Sequence, residues 1–411
     1  FLFPISNSFG ESITHNQTVT VSEFQDDGGG LVAGIEFNND GTKMFTTYAN
    51  KANDEGESIH QKHVVAEYNL STPYDISTRV YAGSSERCVL TGIQAQTVYD
   101  LEFSNDGMMF FTTTRQVDND PDADKAYRFD LTAPYDVSTC ALASQTTDLD
   151  ASAFTSGTLA GGFEGAANKR SKHRLQGIEI NNDGTKLFLI WMDADDANVG
   201  SRLFEYTLST PYDLTTLSIV TTAGIKLGPS TSNGITNPAS MRFSSNGKRI
   251  FVISHADTSS RIAQISLDKA YDTSSFTIDG VLNVFSGISG SANKEPRGVA
   301  FNSNGLKIYM GNDFNHNSKD QVMEYDLACP FNIITGSCPS ITENSDRTGM
   351  AEAQVELAKR SITLSTNSAL NRLKWIRRNK DKQKLSNQNV KLNFSNSMLS
   401  SLNELPISSF K

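Results

Sequence analysis

The sequence predicts an all-β fold, a β-propeller of five four-stranded blades, with six blades as the alternative. Two kinds of β-hairpin recur together five times, and the intervals between units are 66, 77, 63 and 58 residues. No helical periodicity of comparable strength appears before residue 345. Repeated four-stranded units at such spacing are typical of propeller blades. A β-sandwich is the competing fold, but it does not require the same two-hairpin unit five times.

The first hairpin of each unit turns at an Asn-Gly or Asp-Gly pair or a close variant. Its first copy, GIEFNNDGTKMFTTY, covers residues 34–48. The turn glycines are Gly41, Gly107, Gly184, Gly247 and Gly305. Because these dipeptides accept the positive φ of a tight turn, the pattern predicts two paired strands, a and b.

The second hairpin turns at a Thr-Pro-Tyr-Asp motif or a relative of it. Its first copy, VVAEYNLSTPYDISTRVYAG, covers residues 64–83. The turn pairs are Tyr74-Asp75, Tyr135-Asp136, Tyr212-Asp213, Tyr271-Asp272 and Phe331-Asn332. Pro fixes φ for the turn and Asp can close it with its side chain, so this hairpin supplies strands c and d.

The ring needs one more strand to close. After its last turn the fifth unit has only residues 333–335 as an outer strand. Residues 18–24 (TVTVSEF) alternate well and precede the first complete unit. We therefore expect them to complete the fifth blade, which removes the exposed sheet edges.

The loops suggest which face of the propeller recognises a ligand. The a–b and c–d turns are nearly uniform, which is typical of scaffold, whereas the b–c and d–a loops are variable and polar. Candidate binding residues in these loops are His60, His63, Asp118, Asp120, Asp193, Asp195, His255, Asp257, Asp313 and His316.

Alternating carboxylates in two of the loops suggest Ca²⁺ as a ligand. The candidate calcium ligands are Asp118, Asp120, Asp122, Asp193 and Asp195. The competing interpretation is solvated surface charge. His60 and His63 do not predict zinc, because a loop spacing sets no ligand geometry.

A charged set recurs at one offset on the inner strands. Its members are Glu36, Glu102, Glu179 and Arg242, and Ala300 takes the fifth place. Their sequence neighbours are apolar, so period two places the charged set on the other side of each strand. These carboxylates either bind a cation, act as acid and base, or pair between blades with Arg242.

The charge distribution and the motifs that are missing from the sequence exclude several classes of function. The whole sequence has a net charge of −10, and residues 341–411 contribute 12 basic and six acidic residues. Residues 1–340 therefore have a net charge of −16, which disfavours a nucleic-acid partner. No Gly-x-Ser-x-Gly elbow, P-loop or dinucleotide fingerprint occurs, and no apolar run of 18 residues. This favours a binding or adhesion module over an enzyme. The alternative is a metal-dependent, lactonase-like hydrolase that uses loop His and Asp with the inner-strand glutamates.

The four cysteines predict an oxidising compartment. Cys329 and Cys338 flank a short turn, and Cys88 and Cys140 adjoin the outer strands of neighbouring blades, although other connectivities remain open. Residues 1–10, FLFPISNSFG, look like the end of a secretory signal, with an ordinary strand as the alternative.

The C-terminal segment differs from the repeats. Residues 341–380 have a broken apolar stripe and the basic run RLKWIRRNKDKQK, which predicts a basic helix. Residues 381–411 are rich in Asn and Ser and predict a weakly ordered linker. The propeller is therefore assigned to residues 11–340.

Two resemblances add to this interpretation. Residues 341–411, with ENSDRTGMAEAQVELAKRSI and ALNRLKWIRRNKD, resemble the junction before the outer-membrane barrel of marine bacterial autotransporters. That resemblance implies an exported passenger at the bacterial cell surface, a helix entering a barrel, and an extracellular glycan, protein or small molecule as partner. No barrel strands occur in this sequence. The repeats themselves resemble lactonase-like and YVTN-like propellers.

Overall fold

The computed structural model describes residues 12–21, 30–50, 63–93, 97–115, 124–146, 149, 173–193, 201–220, 224–227, 235, 237–254, 260–284, 295–313 and 320–334. The chain divides into two units, Phe1–Thr342 and Glu343–Lys411. The second unit lies outside the described residues, so the basic helix and the linker stay predictions. The expected signal remnant, residues 1–10, also lies outside them.

Five antiparallel sheets confirm the five-bladed propeller. The strand that comes first along the chain is β1 (Ile13–Thr20), which belongs to the last blade. Blade 1 consists of β2 (Gly30–Phe37), β3 (Lys43–Asn50), β4 (Val64–Leu70), β5 (Arg79–Tyr81) and β6 (Cys88–Val89), and β5 and β6 both pair with β4. Blade 2 consists of β7 (Thr97–Phe103), β8 (Met109–Arg115), β9 (Lys125–Asp130) and β10 (Ala141–Gln145).

The remaining blades repeat this order. Blade 3 consists of β11 (His173–Ile180), β12 (Lys186–Asp193), β13 (Arg202–Leu208), β14 (Leu217–Ile219) and β15 (Ile225–Lys226). Blade 4 consists of β16 (Pro238–Phe243), β17 (Arg249–Ser254), β18 (Arg261–Lys269) and β19 (Asp272–Asn283). Blade 5 consists of β20 (Glu295–Phe301), β21 (Lys307–Asp313) and β22 (Gln321–Leu327), with β1 as its outer strand.

The ring closes with the N-terminal strand, as predicted, but with different bounds. The predicted segment was 18–24, whereas β1 pairs with β22 over Ile13–Thr20, and the Val21 N–H then donates to the Asp320 carbonyl at 2.8 Å. The first half of β1 is polar and exposed, and a bulge between His15 and Gln17 shifts its register. Its residues therefore do not alternate, and the sequence pattern misses them.

One contact joins the two hairpins within each blade. In blade 3, Gly184 has a φ of +70°, and a Cβ on it would lie 2.5 Å from the Tyr212 ring. Tyr212 itself has a φ of +63°, and its N–H donates to the Gly184 carbonyl at 2.8 Å. The other four blades repeat this pair of turn glycine and aromatic residue, which we call the Gly–aromatic contact. It explains why the two turn motifs recur together.

The apolar core lies between neighbouring blades. Phe45 and Val65 of blade 1, for example, pack with Phe103, Phe110 and Phe129 of blade 2. The inner strands approach closely at the axis, where a Cβ on Gly34 would lie 2.7 Å from the Leu101 nitrogen. The tight centre brings side chains of all five inner strands together.

Disulfides add to this packing. Cys88 in β6 is bonded to Cys140, which links blade 1 to blade 2. Cys329 is also in a disulfide, and Cys338, its predicted partner, lies outside the described residues. Within the described ranges, no helix is both long and apolar enough to cross a membrane.

Candidate functional site

A pocket of about 220 Å³ opens on the propeller axis at the end where the a–b turns lie. Its charged residues are Glu36, Glu102, Glu179 and Arg242, one from the inner strand of each of blades 1–4. Aromatic residues from the inner strands and the c–d turns also line it. They are Phe37, Phe103, Phe243, Phe301, Tyr135, Tyr271 and Phe331.

The charged side chains converge because they share one position in the repeat. Each lies one residue before the end of its inner strand, and the fifth strand places Ala300 there. In a ring of five strands, equal positions lie at equal height along the axis. The shared offset in the sequence is therefore the signal that locates this site.

Arg242 lies between the three glutamates. Its Nη2 is 2.9 Å from Oε2 of Glu36, and its Nη1 is 2.8 Å from Oε2 of Glu102 and 3.0 Å from Oε1 of Glu179. Nη2 also donates to the carbonyls of Ile35 and Leu101. The guanidinium is thus fixed by both backbone and carboxyl groups, and only 6% of the side chain is exposed.

A fourth carboxyl group, Asp100, was missed by the sequence analysis. It is fully buried, and its Oδ1 lies 3.7 Å from Nη2 of Arg242. Its Oδ2 accepts hydrogen bonds from the Ser240 hydroxyl at 2.9 Å and the Ile178 N–H at 3.2 Å. Asp100 lies two residues before Glu102 on β7, so period two from Glu102 is the signal that could have found it.

The cluster has more acid than base. Four carboxyl groups face one guanidinium, and burial raises the pKa of Glu179 to about 8 and that of Asp100 to about 6. Burial and the neighbouring Glu179 raise the pKa of Glu102 well above its usual value, although Arg242 opposes the shift. Since buried charge without a partner is costly, Glu179 retains its proton at neutral pH and burial favours the protonated form of Glu102, whereas Asp100 is mostly ionised there.

Glu36 and Glu102 form a carboxyl pair. Both carboxyl groups lie within 2.9 Å of the Arg242 guanidinium, and Oε1 of Glu36 accepts the Phe37 N–H at 3.0 Å. Burial raises the pKa of Glu36, with Arg242 lowering it in part. Two neighbouring carboxyl groups whose pKa values are both raised can hold one proton between them, so that one is an acid while the other is a base.

The pocket walls are apolar and its rim is polar. Phe103 packs on Tyr135 with ring centroids 5.1 Å apart, and Phe243 packs on Tyr271 at 5.0 Å. At the rim, the Asn39 side chain donates to the Asn105 carbonyl at 2.9 Å. Asn105 in turn donates to the Asn182 carbonyl at 3.0 Å. These bonds run from blade to blade and fix the rim.

The pocket opens among the a–b and c–d turns, which the sequence predicts to be scaffold. Ligand recognition by the b–c and d–a loops stays a prediction, because most of those loops lie outside the described residues. The turns are uniform because each carries the Gly–aromatic contact. The charged residues of the pocket precede these turns in the sequence, at the ends of the inner strands.

Of the predicted loop residues, His63 has a described side chain, and it is not on the surface. It is 4% exposed, and burial lowers its pKa to about 4. The same position, just before strand c, is buried in every blade and is held by Asp124, Ser201, Ser260 and Asp320 in the others. His63 is therefore part of a blade junction.

The remaining loop candidates have no described side chains. Asp193 and Asp313 end β12 and β21, and the structure describes only their backbone. His60, Asp118, Asp120, Asp122, Asp195, His255, Asp257 and His316 lie outside the described residues. In the part of the chain that is described, no three His, Cys, Asp or Glu side chains are arranged to hold a metal ion. Calcium in the loops stays a prediction.

No protein-family model and no curated protein matches the chain. Among solved structures, it is similar to a protein of Lactobacillus plantarum (14% identity, TM-score 0.36) and to a periplasmic gluconolactonase of Pseudomonas aeruginosa (12% identity, TM-score 0.39). Each match covers 68% of this chain and 64% of the other, so the chain spans less than two thirds of their length.

A third similar structure covers more of its own chain. It is an α-L-arabinanase of Penicillium chrysogenum, 12% identical, with a TM-score of 0.45 and coverage of 76% of this chain and 98% of that one. Likeness at this level does not determine an activity.

Proposed function

We propose that the protein hydrolyses a small ester or lactone in the axial pocket, with Glu36 and Glu102 as the reacting pair. The observation that carries this proposal is that two carboxyl groups, both paired with the same guanidinium, line an open pocket. Such a pair presents a general acid and a general base to one bound molecule.

The roles follow from the surroundings of each carboxyl group. Both carboxyl groups pair with Arg242, but only Glu36 also accepts a backbone N–H, which stabilises its charged form, so Glu36 is the ionised member and takes a proton from the attacking water. Glu102 has the strongly raised pKa and gives its proton to the leaving oxygen. The water oxygen forms the new bond to the carbonyl carbon while the ester C–O bond breaks, and the pair ends with one proton again.

Glu179 complements the pair. Its pKa of about 8 keeps it protonated at neutral pH, and Oε1 accepts from Arg242 and the Phe243 N–H. The protonated carboxyl can then donate to the substrate carbonyl oxygen as negative charge develops there. Asp100 does not line the pocket, so we assign it the role of holding Arg242.

This proposal retains the hydrolase alternative from the sequence but places it on carboxyl groups of the inner strands. The binding or adhesion role, the cell-surface location, the extracellular partner and the barrel stay predictions. They depend on loops and on a C-terminal segment that lie outside the described residues.

The test is hydrolysis of p-nitrophenyl esters and of five- and six-membered lactones. We expect activity in the wild type and a loss of about 100-fold or more in kcat/KM for Glu102→Gln. The control is Glu67→Gln, because Glu67 is buried and paired with Lys43 at 2.8 Å but does not line the pocket. Absence of hydrolysis, or equal activity in Glu102→Gln and wild type, would contradict the proposal.

A further inference from the structure

We propose that the molecule recognised in the axial pocket carries an ammonium group, which takes the place of a proton in the carboxyl cluster when it binds. The inference rests on the proposed function only for the location of the site. It adds the charge of the ligand, which that function leaves open.

The charges around the pocket floor can be assigned element by element. Glu36 comes from β2, Asp100 and Glu102 from β7, Glu179 from β11 and Arg242 from β16, whereas β20 places Ala300 there. The residues that the c–d turns contribute to the pocket are Tyr135, Tyr271 and Phe331, none of which carries a positive charge. Among the described lining residues, Arg242 is the only base.

Arg242 cannot balance this charge alone. It has one positive charge and four carboxyl neighbours, and two backbone carbonyls also accept from its Nη2. Without a ligand protons meet part of the deficit, as the raised pKa values of Glu102 and Glu179 indicate. A positive group bound among them meets the same deficit, so its binding releases a proton.

Two further features fit an ammonium group. The side chains of Glu36 and Glu102 line the pocket and are 16% and 15% exposed, so an ammonium group in the pocket can reach these carboxyl groups. The rings of Phe103, Tyr135, Phe243 and Tyr271 line the space above the carboxyl groups. Aromatic rings attract cations through their negative faces. An anionic ligand would meet repulsion from the same floor.

The test compares cyclohexylamine, which stays protonated at pH 5.5–8, with cyclohexanol, which has the same ring but no charge. Titration calorimetry of the full chain in two buffers with different ionisation enthalpies measures both affinity and proton release. We expect roughly tenfold tighter binding of the amine, tightening as pH rises, and release of up to one proton per ligand.

Two variants test whether Glu102 is responsible for amine binding and proton release. Glu102→Gln should reduce the preference for the amine and the proton release, whereas Glu67→Gln should retain both, with thermal melts confirming that each variant is folded. Equal affinity for amine and alcohol, or amine binding without proton release, would overturn the inference.

The two proposals fail separately. Hydrolysis of neutral lactones without amine binding would remove the ammonium inference and leave the proposed hydrolase intact. Amine binding with proton release but without ester hydrolysis would support the ammonium inference and remove the hydrolase.

Discussion

The residue just before strand c faces the inner strand of the next blade. Asp124 accepts the Leu175 N–H and Asp320 accepts the Val32 N–H, both at 3.2 Å. The inner strands of blades 4 and 5 have a proline at the position of Leu175 and Val32, and proline has no N–H to donate. These are Pro238 and Pro296, and the preceding blades place Ser201 and Ser260, respectively, before their strands c. His63 holds this position in blade 1, and its Nδ1 is buried without a hydrogen bond.

His63 should make the fold sensitive to acid. Burial lowers its pKa from 6.5, the ordinary value for an unfolded chain, to about 4 in the folded protein, so the unfolded chain binds the extra proton between these values. Stability is therefore full above about pH 6.5 and falls as pH decreases towards 4, by about 3 kcal/mol in total. Urea unfolding at pH 7 and pH 4.5 should show a smaller loss for His63→Gln than for the wild type.

The control for this prediction is the exposed His15. His15→Gln should keep the acid sensitivity of the wild type, since its ring lies at the surface. An unchanged pH dependence in His63→Gln would show that His63 is not the responsible group.

At the residue scale, the sequence predicts the site only in part. The convergence of Glu36, Glu102 and Glu179 with Arg242 follows from one shared offset and a period of two. The position of Asp100 in the repeat is occupied by Gly34, Gly177 and Gly298 in three other blades. No charged residue recurs there, so the repeat does not indicate Asp100 as a site residue. The burial of His63 is not visible because the polar residues before it show no periodicity.

At the scale of elements, the Gly–aromatic contact defines each blade. The aromatic residues have φ values from 49° to 63°, which non-glycine residues seldom adopt. The following Asp stabilises the turn: Oδ1 of Asp213 accepts the Thr215 N–H at 3.0 Å and begins a 3-10 turn over Leu214–Thr216. Local hydrogen bonds and ring packing thus hold a strained turn.

Gly184→Ala should destabilise the protein by two effects. The φ of +70° costs an alanine about 1–2 kcal/mol, and the new Cβ would lie 2.5 Å from the Tyr212 ring. Gly83→Ala is the control, because its φ is +109° but nothing lies within 4 Å of the added Cβ. Denaturant unfolding should show a clearly larger loss for Gly184→Ala, and equal losses would contradict the role of the ring contact.

The sequence predicts the elements well where local chemistry repeats. The first hairpin of every blade and the second hairpin of blades 1–4 follow from turn residues and alternation. The bounds of β1 do not, because an exposed outer strand can be polar on both faces and is held by its pairing with β22.

At the scale of the whole molecule, neighbouring blades are joined through the c–d turns. The carbonyl of Tyr271 accepts from Lys186 at 2.6 Å, that of Tyr212 from Arg128 at 3.1 Å, and that of Tyr74 from the Tyr309 hydroxyl at 2.6 Å. Each of these bonds crosses from one blade to the next. The disulfide Cys88–Cys140 is a covalent link of the same kind.

Removing that disulfide should lower the stability of the ring. Its cysteines are 52 residues apart, and cross-linking a loop of this length contributes about 4 kcal/mol through the unfolded chain. The double variant Cys88→Ala, Cys140→Ala should unfold at lower urea concentration than the wild type. An unchanged midpoint would show that the packing between blades 1 and 2 is sufficient without the bond.

The central claim is that the carboxyl cluster around Arg242 holds protons at neutral pH. Infrared spectroscopy of the folded protein at pH 7 tests it directly, because carboxylic acids and carboxylates absorb at separate frequencies. We predict a carboxylic acid band in the wild type that weakens in Glu102→Gln and persists in Glu86→Gln, a change at an exposed site. A wild-type spectrum without that band at pH 7 would contradict the account.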